Sequence, residues 1–262
     1  MPTREAVVME AARAGADYAM QRFRTNLTVE RKTGKTDLVT EADRTTQRRV
    51  VSTIEEHFPA DAIVGEEEDE RKTVPDEGYA WIVDPIDGTQ NFVRGLHGWV
   101  TSVAVVRDGK PISAVNVAPA LGETYRATST GVTREERPIS VSGRTDPETF
   151  LVAPTLRWAR DDSAAVGSLT RAIVDRFGEL RRLGSAQLTL SLVASGALDA
   201  AVAFDPRPNP WDTVAGAYLV ARAGGTVTDL RGDEWRPGGP GIVASNGEAH
   251  EAVLSAVKAA TE

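Results

Sequence analysis

The sequence predicts a layered α/β (α+β) protein, antiparallel-rich in its N-terminal half and βαβ-like in its C-terminal half. Three observations predict it. Segments with apolar residues at helical spacing are interspersed with short apolar runs along all 262 residues. Two of those runs, Val100–Val106 and Pro111–Val117, flank Arg107-Asp108-Gly109-Lys110, a hairpin signal. From Phe150 onward, strand-like and helix-like segments alternate.

In chain order, Val7, Ala11, Ala14 and Tyr18 fall on one helical face, so a helix is expected from Thr3 to about Arg24. A short strand at Leu27–Arg31 and a polar turn at Thr33–Thr36 should follow. A second helix, Glu41–Phe58, stops before Pro59. Short strands are expected at Ala62–Gly65 and Tyr79–Val83, with the acidic run Glu66–Glu70 between them. After the hairpin, Gly122–Ala127 adds a third antiparallel strand. The polar stretch Thr130–Glu136 is the expected boundary between halves 1–133 and 134–262, which form one structural unit. The second half reads as strand Phe150–Ala153, helix Ser163–Phe177, strand Glu179–Leu183 and helix Ser185–Ser195. Strand Ala200–Phe204, helix Pro210–Ala223, strands Thr226–Leu230 and Gly241–Ala244, and a helix from Glu248 complete it.

Composition narrows the function. With 41% hydrophobic and 26% charged residues the chain can bury a core. A formal charge of −8 argues against nucleic acid or an anionic membrane as partner. There is no cysteine, so disulfides and thiolate metal sites are excluded. The first residues have no signal-peptide core and no apolar stretch is long enough to span a bilayer, so a cytoplasmic location is expected.

Chemistry gathers in the acids. Trp81-Ile82-Val83 is an apolar strand ending in Asp84-Pro85-Ile86-Asp87-Gly88-Thr89. Pro85 stiffens the turn, leaving two carboxylates and the Ile86 carbonyl free to converge. An all-oxygen donor set suits Mg²⁺, and the N–H groups opening the Gly88-Thr89 element suit an anion beside it. The plainer reading is a turn at Asp87-Gly88 with Asp84 as a cap. Glu66 likewise leaves a strand end, whereas Glu67–Glu70 read as a solvated charge run. Asp212 lies in the first turn of a helix, where dipole pairing alone would explain it. Asp43 opens another helix, where capping would do the same. The three histidines, His57, His97 and His250, are scattered and read as structural or surface residues.

Taken together, Asp37-Leu38-Val39-Thr40-x-x-Asp43, Gly65-Glu66-Glu67, Asp84-Pro85-Ile86-Asp87-Gly88-Thr89, Gly184-Ser185-Ala186 and Trp211-Asp212-x-x-Ala215-Gly216 resemble the inositol monophosphatase family. That family comprises Mg²⁺-dependent phosphatases and includes fructose-1,6-bisphosphatases and nucleotide 3′-phosphatases. The resemblance runs from about Ala6 to the C-terminus. It implies the sugar-phosphatase αβαβα sandwich, a homodimer, two to three Mg²⁺ ions and a small phosphorylated sugar or cyclitol as partner. By the same resemblance, Glu66, Asp84 and the Ile86 carbonyl hold a first metal, and Asp84, Asp87 and Asp212 a second. A third, weaker ion contacts Glu66. Gly88 and Thr89 bind the phosphate; Thr89, bonded to Asp43, orients the attacking water with Glu66. Lys32 lies near the site, and Gly184-Ser185-Ala186 pack against the ring.

The expected reaction is hydrolysis of a phosphate monoester, most readily myo-inositol 1-phosphate, by metal-activated water in an in-line displacement. Fructose 1,6-bisphosphate is the alternative, followed by 3′-phosphoadenosine 5′-phosphate and histidinol phosphate. Counting back from Trp211 makes Asp205 the candidate for the acid that contacts substrate hydroxyls, whereas counting forward from Asp199 lands on Ala203, because the loop is about two residues longer than in animal relatives. A second phosphate would need cations, for which Arg157, Arg160, Arg171, Arg181 and Arg207 are candidates. Haloacid dehalogenase chemistry, which uses Asp-x-Asp-Gly-Thr, is not met: Pro85 and Ile86 separate the acids by one residue too many. A scaffold that binds metal and phosphate without turnover is the non-enzymatic rival.

Overall fold

A computed structural model describes residues 2–31, 38–67, 70–155, 163–203 and 208–261, with seven α-helices and 14 strands among them. A seven-stranded sheet has the order β3(Ala62–Gly65), β4(Tyr79–Asp87), β5(Val100–Arg107), β6(Lys110–Ala118), β7(Glu123–Thr128), β8(Gly131–Arg134), β9(Arg137–Pro138). Only β3 and β4 pair in parallel; the rest is antiparallel. Both faces are covered, which is why β4 to β6 read as near-continuous apolar runs. Trp81 and Val83 of β4 pack with Val103, Val105, Val115 and Val117 against α1(Arg4–Arg22) and α2(Glu41–Glu55). Their alternates Ala80 and Ile82 pack with Ala104, Val106 and Ala114 against Trp211, Val214 and Ala215 of α6(Pro210–Arg222). A Cβ on Gly15 would stand 2.6 Å from Val50 Cγ2, so α1 and α2 approach closely because this position is glycine.

The second sheet has the order β11(Glu179–Leu180), β10(Leu151–Pro154), β12(Ala200–Ala203), β14(Ile242–Ser245), β13(Thr226–Thr228). Strands β11, β10 and β12 are parallel, whereas β14 runs antiparallel to both neighbours. Its inner residues Ala153, Ala201, Ala203, Ile242 and Ala244 share a core with α5(Ala186–Ala194), α6, and Tyr125 and Ala127 of the first sheet. Its outer residues Val152, Ala200, Val202 and Val243 pack with Leu169 and Ile173 of α4(Ser163–Arg176) and Val253 and Val257 of α7(His250–Thr261). The layers are therefore helices, sheet, helices, sheet, helices, as expected. Among the described residues, no helix is long and apolar enough to cross a membrane.

Several local expectations are corrected. The polar stretch Thr130–Glu136 is not a connector: β8 and β9 extend the first sheet to Pro138, turning through Glu135 (φ 48°) and Glu136 (φ 63°). Two positive φ angles match the twist of a hairpin, but glutamates give no sequence sign of them. Strand β1(Val29–Arg31) pairs with an unexpected partner, β2(Leu38–Thr40). A 3₁₀ turn at Pro147–Thr149 was also unforeseen. Strand β4 continues past Val83 to Asp87. The expected turn at Thr33–Thr36 and the end of β12 at Phe204 lie outside the described residues.

Candidate active site

The acids sit on a strand irregularity, not beyond a strand end. Asp84 is level with Ser102 of β5 and Asp87 with Val100, so β4 carries one residue more than β5 across this interval. That is a β-bulge, placed where Pro85 has no N–H for the ladder. Thr101 Oγ1 donates to the Pro85 carbonyl at 2.8 Å and fixes the bulged chain. The Ile86 side chain goes into a buried cluster with Phe23, Phe92 and Trp99. Gly88 then takes φ +97° and caps α3(Thr89–Val93). A Cβ there would lie 3.0 Å from the Gly98 carbonyl and 3.2 Å from Ser185 Cβ, so both backbone angle and space require glycine.

Asp84, Asp87 and Asp212 each offer one oxygen, and these lie within 4.8 Å of one another. Asp84 is 1% exposed and Asp87 7%, and Asp212 is half-buried. Asp212 stands in the first turn of α6 behind Pro210, with Asn209 Nδ2 donating to its Oδ2 at 3.1 Å. Three converging carboxylates, hard donors without nitrogen or sulfur, fit a divalent cation such as Mg²⁺. Glu66 leaves β3 beside them, its N–H on the Val83 carbonyl. It does not belong to the 4.8 Å triad, but its charge helps raise both Asp43 and Asp87.

Asp43 combines two roles that looked like alternatives. Its Oδ2 accepts from the Thr40 N–H (2.8 Å) and Thr40 Oγ1 (2.5 Å), completing a capping box on α2. Its Oδ1 accepts from Thr89 Oγ1 at 3.2 Å, which also reaches the Ile86 carbonyl at 3.1 Å. Burial pushes the Asp43 carboxyl up to about 6, against the pull of these donors. Asp87 is likewise pushed up to about 6 by burial. Opposing that, Ser185 Oγ (2.5 Å) and the Gln187 N–H (2.6 Å) donate to its Oδ2, and the Ala186 N–H (3.3 Å) to its Oδ1. Asp87 thus sits on the N-terminus of α5. Ser185 and Ala186, expected against a substrate ring, are engaged with this carboxylate. Gly184 precedes them at φ +80°, with Asn91 at its back.

Other expectations fare differently. Lys32, Asp205, Arg157, Arg160 and Arg207 lie outside the described residues. Arg171 is exposed on α4, and Arg181 pairs with Glu179. Glu67 is not part of a solvated run: it is 4% exposed, and Gln47 clamps its backbone N–H and carbonyl at 2.9 and 2.6 Å. His250 bonds Ser245 and Thr228, His97 packs on Phe23, and His57 faces Glu10, all structural or surface settings. Nothing in the local pattern marks Asn91, whose Nδ2 donates to the carbonyls of Gly98 (2.6 Å) and Leu183 (2.8 Å). Gln187, buried completely, was also missed.

The model of the inositol monophosphatase family matches residues 3–262. The chain is 37% identical over 236 residues to the fructose-1,6-bisphosphatase/inositol-1-monophosphatase of Thermotoga maritima, covering 89% of this chain and 88% of that one. It is 34% identical to the histidinol-phosphatase of Mycobacterium tuberculosis, over 84% and 85% of the two chains. The solved structure of a Thermotoga maritima IMPase matches with a TM-score of 0.87 at 34% identity, over 97% of this chain and 96% of that one.

Proposed function

The chain belongs to the inositol monophosphatase family of phosphatases, and on that premise we propose that it hydrolyses myo-inositol 1-phosphate in a Mg²⁺-dependent reaction. The observation that carries the reading is the convergence of Asp84, Asp87 and Asp212 beside the Thr89–Asp43 bond. Asp84, Asp87 and Asp212 would hold the cation, with Glu66 and the Ile86 carbonyl serving further coordination. Bound Mg²⁺ supplies Lewis acidity toward the phosphate and an acidified water.

The remaining work belongs to the chain's own groups. The N–H groups of Gly88 and Thr89, at the start of α3, hold phosphate oxygens. Thr89 donates its one hydroxyl proton to ionised Asp43, so its lone pairs are left to accept from a water. With Glu66 accepting the other proton, that water's oxygen is aimed at phosphorus. Protonated Asp43 would reverse the polarity of this chain and lose the aim. Ser185 and Ala186 act by holding Asp87, and Asp205 and Lys32 are proposed to contact the substrate. A cytoplasmic homodimer of two docked halves is part of the same reading.

One observation favours a second substrate: the 37%-identical relative carries both the fructose-1,6-bisphosphatase and inositol-1-monophosphatase names. The test is phosphate release, with and without Mg²⁺, from inositol 1-phosphate, fructose 1,6-bisphosphate, histidinol phosphate and 3′-phosphoadenosine 5′-phosphate. The highest kcat/KM on inositol 1-phosphate is expected. Preference for another of the four overturns the substrate, and release that ignores Mg²⁺ overturns the mechanism.

A further inference from the structure

Gln187 touches the carriers of two different acids. Its backbone N–H donates to Asp87 Oδ2 at 2.6 Å. Its side chain leaves α5 for α6, where Nε2 donates to the Trp211 carbonyl at 2.5 Å. Its Oε1 accepts the Gly216 N–H at 2.7 Å. A carbonyl can only accept and an N–H only donate, so these partners fix the amide's orientation. Trp211 immediately precedes Asp212, and Gly216 is the residue whose N–H a regular helix directs at the Asp212 carbonyl. The side chain therefore grips both ends of the turn that presents Asp212.

The setting makes that grip stiff. Gln187 is fully buried, and Asn116 Nδ2 holds its Oε1 (3.1 Å) and its carbonyl (3.2 Å) from β6 of the first sheet. Ser191 Oγ also donates to its carbonyl at 2.8 Å. A Cβ on Gly216 would lie 2.4 Å from Leu190 Cβ and 3.0 Å from Gln187 Oε1, so α5 and α6 cross at their closest where the amide reaches over. Asn116 Oδ1 has no hydrogen-bond partner, but the Gln187 amide is engaged at both its oxygen and its nitrogen, and a buried amide held at both ends is rigid. An oxygen cage for a small cation tolerates little change in spacing.

We propose that Gln187 is a positioning residue that sets the spacing between Asp87 and Asp212, and through it the affinity of the site for a divalent cation. The proposal rests on the cation reading of the triad. Groups that orient ligands from behind typically change metal affinity about 10–100-fold when lost. Losing this one leaves the acids themselves untouched.

The experiment titrates Mn²⁺ into the purified, substrate-free protein, following free Mn²⁺ by electron paramagnetic resonance, with Tm measured in EDTA. Gln187→Met keeps most of the volume but none of the three side-chain bonds, and is expected to raise the Mn²⁺ Kd about 10–100-fold. Gln187→Ala, whose cavity can admit water to the stranded carbonyl and N–H, serves where Gln187→Met is not recovered folded. Ser191→Ala removes two bonds from the same network, to the Gln187 carbonyl and from Asn116 Nδ2, without touching Asp87, Trp211 or Gly216, and is expected to lower Tm with an unchanged Kd. Wild-type affinity in the Gln187 variants, or an equal loss in Ser191→Ala, overturns the proposal. Asp212→Asn separates the two readings: it should weaken Mn²⁺ more than any of these, and unchanged binding there overturns the cation site itself.

Discussion

Strand β4 serves two regions built on opposite terms. Trp81 and Val83 sit at zero exposure among the valines and alanines of the α1/α2 layer, where burial of apolar surface stabilises the fold. A few residues on, Asp84 and Asp87 are buried almost as deeply, but beside further acids, and their desolvation opposes folding. Deep burial along this one strand therefore has two meanings. In one region it supports the fold, and in the other the fold supports it.

That contrast is sharpest under substitution. Asp84→Asn should reduce kcat by about three orders of magnitude in Mg²⁺ while leaving Tm in EDTA equal or higher. A large fall in Tm, or near-normal turnover, would merge the two regions. Ile54→Ala, on the apolar side, should cost about 2–5 kcal/mol in urea unfolding with kcat of the folded enzyme unchanged. An altered kcat would mean that the α1/α2 layer reaches the chemistry. Thr89→Ala should slow turnover about 100-fold with Mn²⁺ affinity retained, and loss of Mn²⁺ binding would move Thr89 from the water to the cation.

The pH dependence of stability is a finer probe. Asp43 and Asp87, each pushed up to about 6, hold protons in the fold at pH values where the unfolded chain, with carboxyls near 4, has released them. The native state then binds more protons than the unfolded state, so stability falls as pH rises from about 4 to about 6. Urea midpoints in EDTA should show that decline, less steeply in Asp43→Asn. Identical slopes in the two proteins would remove Asp43 from the window. The smallest effect belongs to Glu136→Gly, which relieves a positive φ and should add about 0.5 kcal/mol in urea unfolding. A loss there would mean that Glu136 makes a contact worth more than its strain.

The two hairpins also show why legibility was uneven. Asp108-Gly109 announced its turn because both residues accept positive φ readily, and both adopt it. Glu135-Glu136 adopts the same angles under the pull of the ladder between β8 and β9, a tertiary cause that no local pattern carries. The same division runs through the site. Asp84, Asp87 and Asp212 were legible because a motif lies within a few residues and its chemistry follows from type and order. The bulge at Pro85–Ile86 was half visible, through the proline. Gln187 was invisible, because a glutamine among Ala186, Leu188 and Leu190 means nothing until α6 crosses it. Glu67 was misread because the run of acids around it is a surface pattern, and only Gln47 on α2 explains its burial.

The placement of Asp212 on α6 has a consequence for how the molecule assembles. Helix α6 packs against both sheets, so the third acid arrives only when the second sheet has closed on the first. Most contacts of the first sheet are local in sequence and can form early, while this closure joins segments far apart along the chain and comes late. If the proposed cation site is right, uptake of Mn²⁺ during refolding is therefore expected to trail the formation of secondary structure, which stopped-flow Mn²⁺ binding beside far-UV circular dichroism would check. An ion held by the proposed site would not template the first sheet; binding only the closed form, it would lock the second sheet onto it.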